Sequence, residues 1–234
     1  MSARSILATL FATLPLFAAV SCGSEPAPVQ GAPQSTPESQ AVASAAAPED
    51  DAAVRESFDR YLTTLRDTDG EAAARLVTST TIRHYGELAT LAATGGPGEI
   101  GRRSLIDRLN IALVRHHLAT EQLEAMDGPG LFAVAVERGL IDKAQVETLT
   151  LGEITVSGDR AVAAAEDEGG KGTALSFARE RGTWRLDLLP LIETSDRIMT
   201  ELAARHGVSE DELVFRLAST ATGTTVDESV FAKP

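Results

Sequence analysis

Cysteine is almost absent from this chain: Cys22 is the only one in 234 residues. That excludes a disulfide within the chain and any cysteine-rich metal cluster. Lysine is scarce as well, at Lys143, Lys171 and Lys233, and all basic residues together number 21 against 34 acidic ones, a net charge of −13. Such a surface repels phosphate backbones, which excludes nucleic-acid binding. No apolar run is long enough to span a bilayer. The longest, residues 6–20, is interrupted by Pro15, whereas a spanning helix needs roughly 20 apolar residues. There is no Gly-x-Ser-x-Gly elbow, and Gly95-Gly96-Pro97-Gly98 is not followed by the Gly-Lys-Ser/Thr of a phosphate loop. Four histidines remain. His116 and His117 are neighbours pointing about 100° apart on a helix, and His84 and His206 lie far off, so no i, i+4 pair marks a metal helix. Neither a metal nor another cofactor is expected.

What is present begins at the N-terminus. Arg4, a short apolar core and the small residues Ala18 and Ala19 have the layout of an export signal over residues 1–21. The segment Ala19-Val20-Ser21-Cys22 resembles a bacterial lipobox, with Ala19 where leucine is usual. The resemblance implies a lipoprotein whose first mature residue, Cys22, carries diacylglycerol and an N-acyl chain such as palmitate. At roughly 0.8 kcal/mol per buried CH₂, such chains hold a protein on a membrane without a transmembrane helix. The expected location is the cell envelope, facing the periplasm or the exterior.

Residues 22–50 form a second unit, rich in Pro, Ala, Ser and Gln and with almost no large apolar side chain. Pro26, Pro28, Pro33, Pro37 and Pro48 oppose helix, so the unit reads as a disordered tether. Its mean reach is roughly 30 Å for a flexible chain. Residues 51–234 carry 20 basic and 30 acidic residues and are long enough for one domain with a core.

Within that domain the periodicity is first helical. Val54, Phe58, Leu62 and Leu65 recur at helical spacing with Tyr61 on the same stripe, and short helices follow over 71–77 and 82–93. Ser104 with Asp107 opens a further helix, and 131–138 another. From residue 147 the pattern alternates. Strands are expected over 147–156, 160–165, 173–181 and 183–189, with turns too short for parallel crossovers. Two helices then close the domain, the second opened by Ser209 and Glu212, and 223–234 reads as a flexible tail. The fold class is α+β: N-terminal helices packed on a curved antiparallel meander of four or more strands, plus a C-terminal helical hairpin.

The first amphipathic helix, the Asp69-Gly70 turn and the closing Gly182-Thr183-Trp184-Arg185-Leu186-Asp187-Leu188 strand resemble the NTF2-like superfamily of cone-shaped α+β domains. That resemblance spans about 51–93 and 146–190 of a domain over 51–192, with a helical insertion at about 94–145 and a helical extension over 193–222. It implies a cavity between helices and sheet. It also brings in the ketosteroid isomerases and polyketide cyclases, whose first helix carries an oxyanion-hole tyrosine. Arg60-Tyr61-Leu62 is similar to that context, but the aspartate base is missing: Ile82-Arg83-His84-Tyr85 offers only His84. Tyr61 and His84 are therefore the catalytic candidates, against a simpler reading of Tyr61 as core. Arg102, Arg103, Arg108 and Arg115 form the one basic stretch, a contact for an anion or the polar face of a helix.

The composition and motifs favour a non-enzymatic, membrane-tethered domain that binds a small apolar ligand or an envelope protein. An isomerase- or cyclase-like enzyme and a structural assembly protein are the competing readings.

Overall fold

The computed structural model describes residues 44–45, 47–141, 146, 148–170 and 172–233. Cys22 and most of the expected tether lie outside the described residues. The chain is α+β. Two residues of strand, β1 (Ser44–Ala45), precede helix α1 (Pro48–Asp67). Helices α2 (Gly70–Ala74), α3 (Ser79–Thr94), α4 (Pro97–Ile100), α5 (Leu105–His117), α6 (Thr120–Glu124) and α7 (Gly128–Glu137) follow. Then come β2 (Thr150–Ser157), β3 (Arg160–Glu166), β4 (Gly172–Glu180) and β5 (Thr183–Asp187). Helices α8 (Leu189–His206) and α9 (Glu210–Thr222) and a 3-10 turn (Glu228–Phe231) close the chain.

Local chemistry sets the boundaries. Asp69, Thr78, Ser104, Asp127 and Ser209 each accept a hydrogen bond from the backbone N–H three residues on, capping α2, α3, α5, α7 and α9. Pro48 does not break α1. It sits in the first turn, where its missing N–H is no loss, so the helix begins within the last residues of the stretch expected as tether. Gly128-Pro129 likewise opens α7, and Pro190 opens α8, which shortens the last strand to Asp187.

The sheet is a five-stranded antiparallel meander in the order β1-β2-β3-β4-β5. Its inner face carries Ile154, Ala161, Ala163, Ala165, Leu175, Phe177, Trp184 and Leu186, all buried. Helix α1 lies across this face, and Phe58 meets Phe177 edge-on at 6.5 Å between ring centroids. Two polar side chains of α1 fix its position. Ser57 Oγ donates to the Trp184 carbonyl at 2.8 Å, and the Arg55 guanidinium donates to the carbonyls of Leu151 and Gly152. Beyond β5, Val77 forms a parallel bridge with Leu186, and the Thr78 N–H donates to the Leu186 carbonyl at 2.9 Å.

Helices α2, α3, α5 and α7 form the second half of the core. Here α7 approaches two backbones too closely for any side chain. A Cβ on Gly70 would lie 2.3 Å from the Ala133 carbonyl oxygen, and one on Gly128 would lie 2.3 Å from that of Ile82.

The C-terminal stretch read as a flexible tail is packed instead. Val226 and Phe231 are buried, and Phe231 meets Phe215 of α9 at 5.4 Å. Arg115 of α5 holds the stretch in place by donating to the carbonyls of Val230 and Ala232. The same guanidinium donates to the carbonyls of Leu91, Ala92 and Gly95 at the end of α3, where the Leu91 carbonyl also accepts from the Gly95 N–H. Two apolar side chains and one arginine anchor a segment too short and polar for periodicity to reveal.

Candidate functional site

The two catalytic candidates face different surroundings. Tyr61 projects from α1 into the core and is 1% exposed; its hydroxyl has no hydrogen-bond partner and touches no space wide enough for water. Burial, and next the neighbouring Tyr85, push its ionisation well above the usual phenol range. Tyr85, on α3, packs edge-on against Phe132 at 4.9 Å, and its phenol is raised too, by burial first and then by the Asp107 carboxylate. Tyr61 is thus a core aromatic, as its place on the α1 stripe suggested.

His84, one residue before Tyr85, belongs to an ion cluster. Its Nε2 lies 3.0 Å from Asp107 Oδ1, out of line for a hydrogen bond. The other Asp107 oxygen lies 3.4 Å from Arg103 Nε, and Arg103 also reaches Glu87 at 3.0 Å. Asp107 is buried, and the Arg103 guanidinium beside it offsets its desolvation. An imidazole hydrogen-bonded to a carboxylate is part of a general-base device, but the His84–Asp107 contact lacks that alignment, and such a device also needs a nucleophile or an oxyanion donor beside it. Among the described residues no hydroxyl is hydrogen-bonded to His84, and Tyr61 has no opening toward a substrate. The structure therefore does not bring Tyr61 and His84 together as an acid–base pair around an open cavity.

Most of the basic stretch is engaged within the fold. Arg103 serves Glu87 and Asp107. Arg108 is buried, and its two terminal nitrogens bind Glu210 and, at 2.6 Å, Asp211, across from α5 to the first turn of α9. Arg115 is spent on five backbone carbonyls, and burial lowers its pKa from the usual guanidinium range. Only Arg102 of the four stands exposed.

Among the described residues an open concavity lies beside α9. A groove of about 940 Å³ runs between α4, α9 and the C-terminal 3-10 turn. Phe215, Val226 and Phe231 form its apolar floor, and Pro97 and Gly101 form one wall. Asp211, Glu212 and Glu228 stand along it with Arg216, whose guanidinium is paired to Glu212. The sequence reading missed this feature because one wall is made of the segment taken as a loose tail. The available signal was the apolar set Val226, Val230 and Phe231 within that stretch.

No group of histidines or acids among the described residues has the geometry to hold a metal ion, and no described helix is long and apolar enough to cross a membrane. Comparison with protein-family models, curated proteins and solved structures found no match to this chain.

Proposed function

We propose that this chain is a lipid-anchored protein of the cell envelope whose α+β domain works by binding a partner at the end of a tether. The observation that carries the binding half is a contrast. The interior beneath Tyr61 is filled by side chains, whereas the groove beside α9 is open and has an aromatic floor. Ligand sites are concave and largely apolar with a few polar groups, which suits the groove better than the core. The order of helices followed by a meander is the basis for an NTF2-like reading of the domain. The filled core counts against the small-molecule cavity that resemblance implies, and so against an isomerase or cyclase. An envelope protein is thus a better partner than a small apolar ligand.

The anchor half rests on the apolar run before Ser21-Cys22, on the lone cysteine, and on the Pro-rich segment that follows. Its test is metabolic labelling with a fatty acid, followed by membrane fractionation. The wild-type chain is expected to incorporate label and sediment with membranes. Cys22→Ala is expected to lose the label and move largely to the soluble fraction. Undiminished labelling of Cys22→Ala would remove the anchor from the account.

A further inference from the structure

We propose that the groove between α4, α9 and the C-terminal turn docks a cationic amphipathic segment of a partner protein. The apolar face of that segment would lie on Phe215, Val226 and Phe231, with its Lys or Arg side chains along the acidic rim. The inference deepens the binding reading given above and rests on it.

The floor and the rim are independent features. Phe231 is buried against Phe215 at 5.4 Å, while Phe215 itself is only partly covered, so the groove offers aromatic surface to an apolar side chain. Along the edge, three carboxylates (Asp211, Glu212 and Glu228) face one guanidinium, Arg216. Arg216 is matched by Glu212, and the buried Arg108 is shared between Asp211 and Glu210. With neighbouring Asp227 the rim carries four carboxylates against Arg216 and the nearby Arg102 and Lys233, so a small surplus of negative charge remains, centred on Asp227 and Glu228.

That charge selects among occupants. A second copy of this chain, itself at −13, would bring acid to acid. An anionic membrane surface is repelled for the same reason. The chain's own residues 23–46 contain no Lys or Arg and very few large apolar side chains, so they satisfy neither floor nor rim. An amphipathic helix with a basic face satisfies both, in the helix-in-groove mode of recognition.

The test titrates the full-length protein in detergent micelles with a synthetic amphipathic helix of leucine and lysine, against the same peptide with glutamate for lysine. Binding is read by fluorescence anisotropy, and the site by amide shift changes in the isotope-labelled protein. Saturable binding of the lysine peptide only is expected, with shifts at Phe215, Thr220 and Glu228. The double variant Thr220→Lys/Glu228→Lys reverses the rim at two exposed positions. It should weaken binding about tenfold or more, a difference of about 1.4 kcal/mol. A distant variant with the same charge change, Thr150→Lys/Glu166→Lys on the sheet, should leave affinity within about twofold, since exposed charges beyond a Debye length of about 8–10 Å are largely screened. Circular dichroism checks that both variants fold. Equal weakening by the two variants, shifts mapping elsewhere, or no saturable binding would each overturn the proposal. None of these outcomes touches the Cys22 labelling, so the anchor reading is judged separately.

Discussion

Gly70→Ala is expected to destabilise the domain by about 3 kcal/mol, the upper end of the usual cost of overpacking. Helix propensity alone predicts the opposite sign, because Gly70 is helical and alanine is favoured over glycine in a helix by up to about 1 kcal/mol. Packing decides. The added methyl carbon would sit 2.3 Å from the Ala133 oxygen, 2.5 Å from its Cα and 2.7 Å from its carbonyl carbon. All three are backbone atoms of α7, so no rotamer change relieves the clash and the helix itself must move. In chemical denaturation the midpoint should fall, and Tm should drop by roughly 6–12 °C for a domain of this size. Gly98→Ala in α4 is the control. Nothing lies within 4 Å of its Cβ position, and the substitution should be neutral or slightly stabilising.

The second large effect is asymmetric across the α5–α9 ion cluster. Removing both acids, Glu210→Ala with Asp211→Ala, is expected to cost about 3–5 kcal/mol, since it leaves the guanidinium of Arg108 buried without a counter-charge. Removing the arginine instead, as Arg108→Met, should cost less, about 1–2 kcal/mol. Its partners Glu210 and Asp211 are 41% and 53% exposed, so water can take over when the cation is gone. The acids also lie in the first turn of α9, where the helix dipole favours them whatever Arg108 does. Urea denaturation of the variants gives the comparison. Arg108→Met matching or exceeding the double acid variant in cost would contradict a buried, desolvated cation at this place.

These predictions show which parts of the molecule could be read in the sequence. The α+β order, the meander and the helix starts at Ser104 and Ser209 were legible, because local periodicity and capping chemistry decide them. Tyr61 was legible as core for the same reason, since it shares the stripe of Val54, Phe58, Leu62 and Leu65. What escaped was long-range. Arg108 meets acids some hundred residues away, and Arg115 joins the end of α3 to the end of the chain. A sequence shows only that these arginines are polar, and a helix surface is the default place for them. Glycines hid a second kind of information. Asp69-Gly70 reads as a turn, yet what matters at Gly70 is the backbone of α7 lying against it. The groove escaped with the long-range contacts, since it exists only because Arg115 and Phe231 pin the C-terminal stretch.

The central claim is that the interior beneath the sheet is closed and that binding occurs on the outside. The chain has only two tyrosines, Tyr61 and Tyr85, so phenolate absorbance reports on that interior directly. An unfolded phenol ionises at about pH 10. In the folded state both are raised, chiefly by burial. Above pH 10 the unfolded chain therefore releases protons that the native state retains. The fold keeps the full contribution of these groups below that pH and loses it as pH climbs, at about 1.4 kcal/mol per pH unit for each phenol. A titration that follows phenolate absorbance and far-ultraviolet circular dichroism together should show no phenolate while the fold persists. Both tyrosines should then ionise in one step with its loss. A phenolate appearing near pH 10 with the circular dichroism unchanged would reveal an open cavity at Tyr61 or Tyr85 and contradict the account.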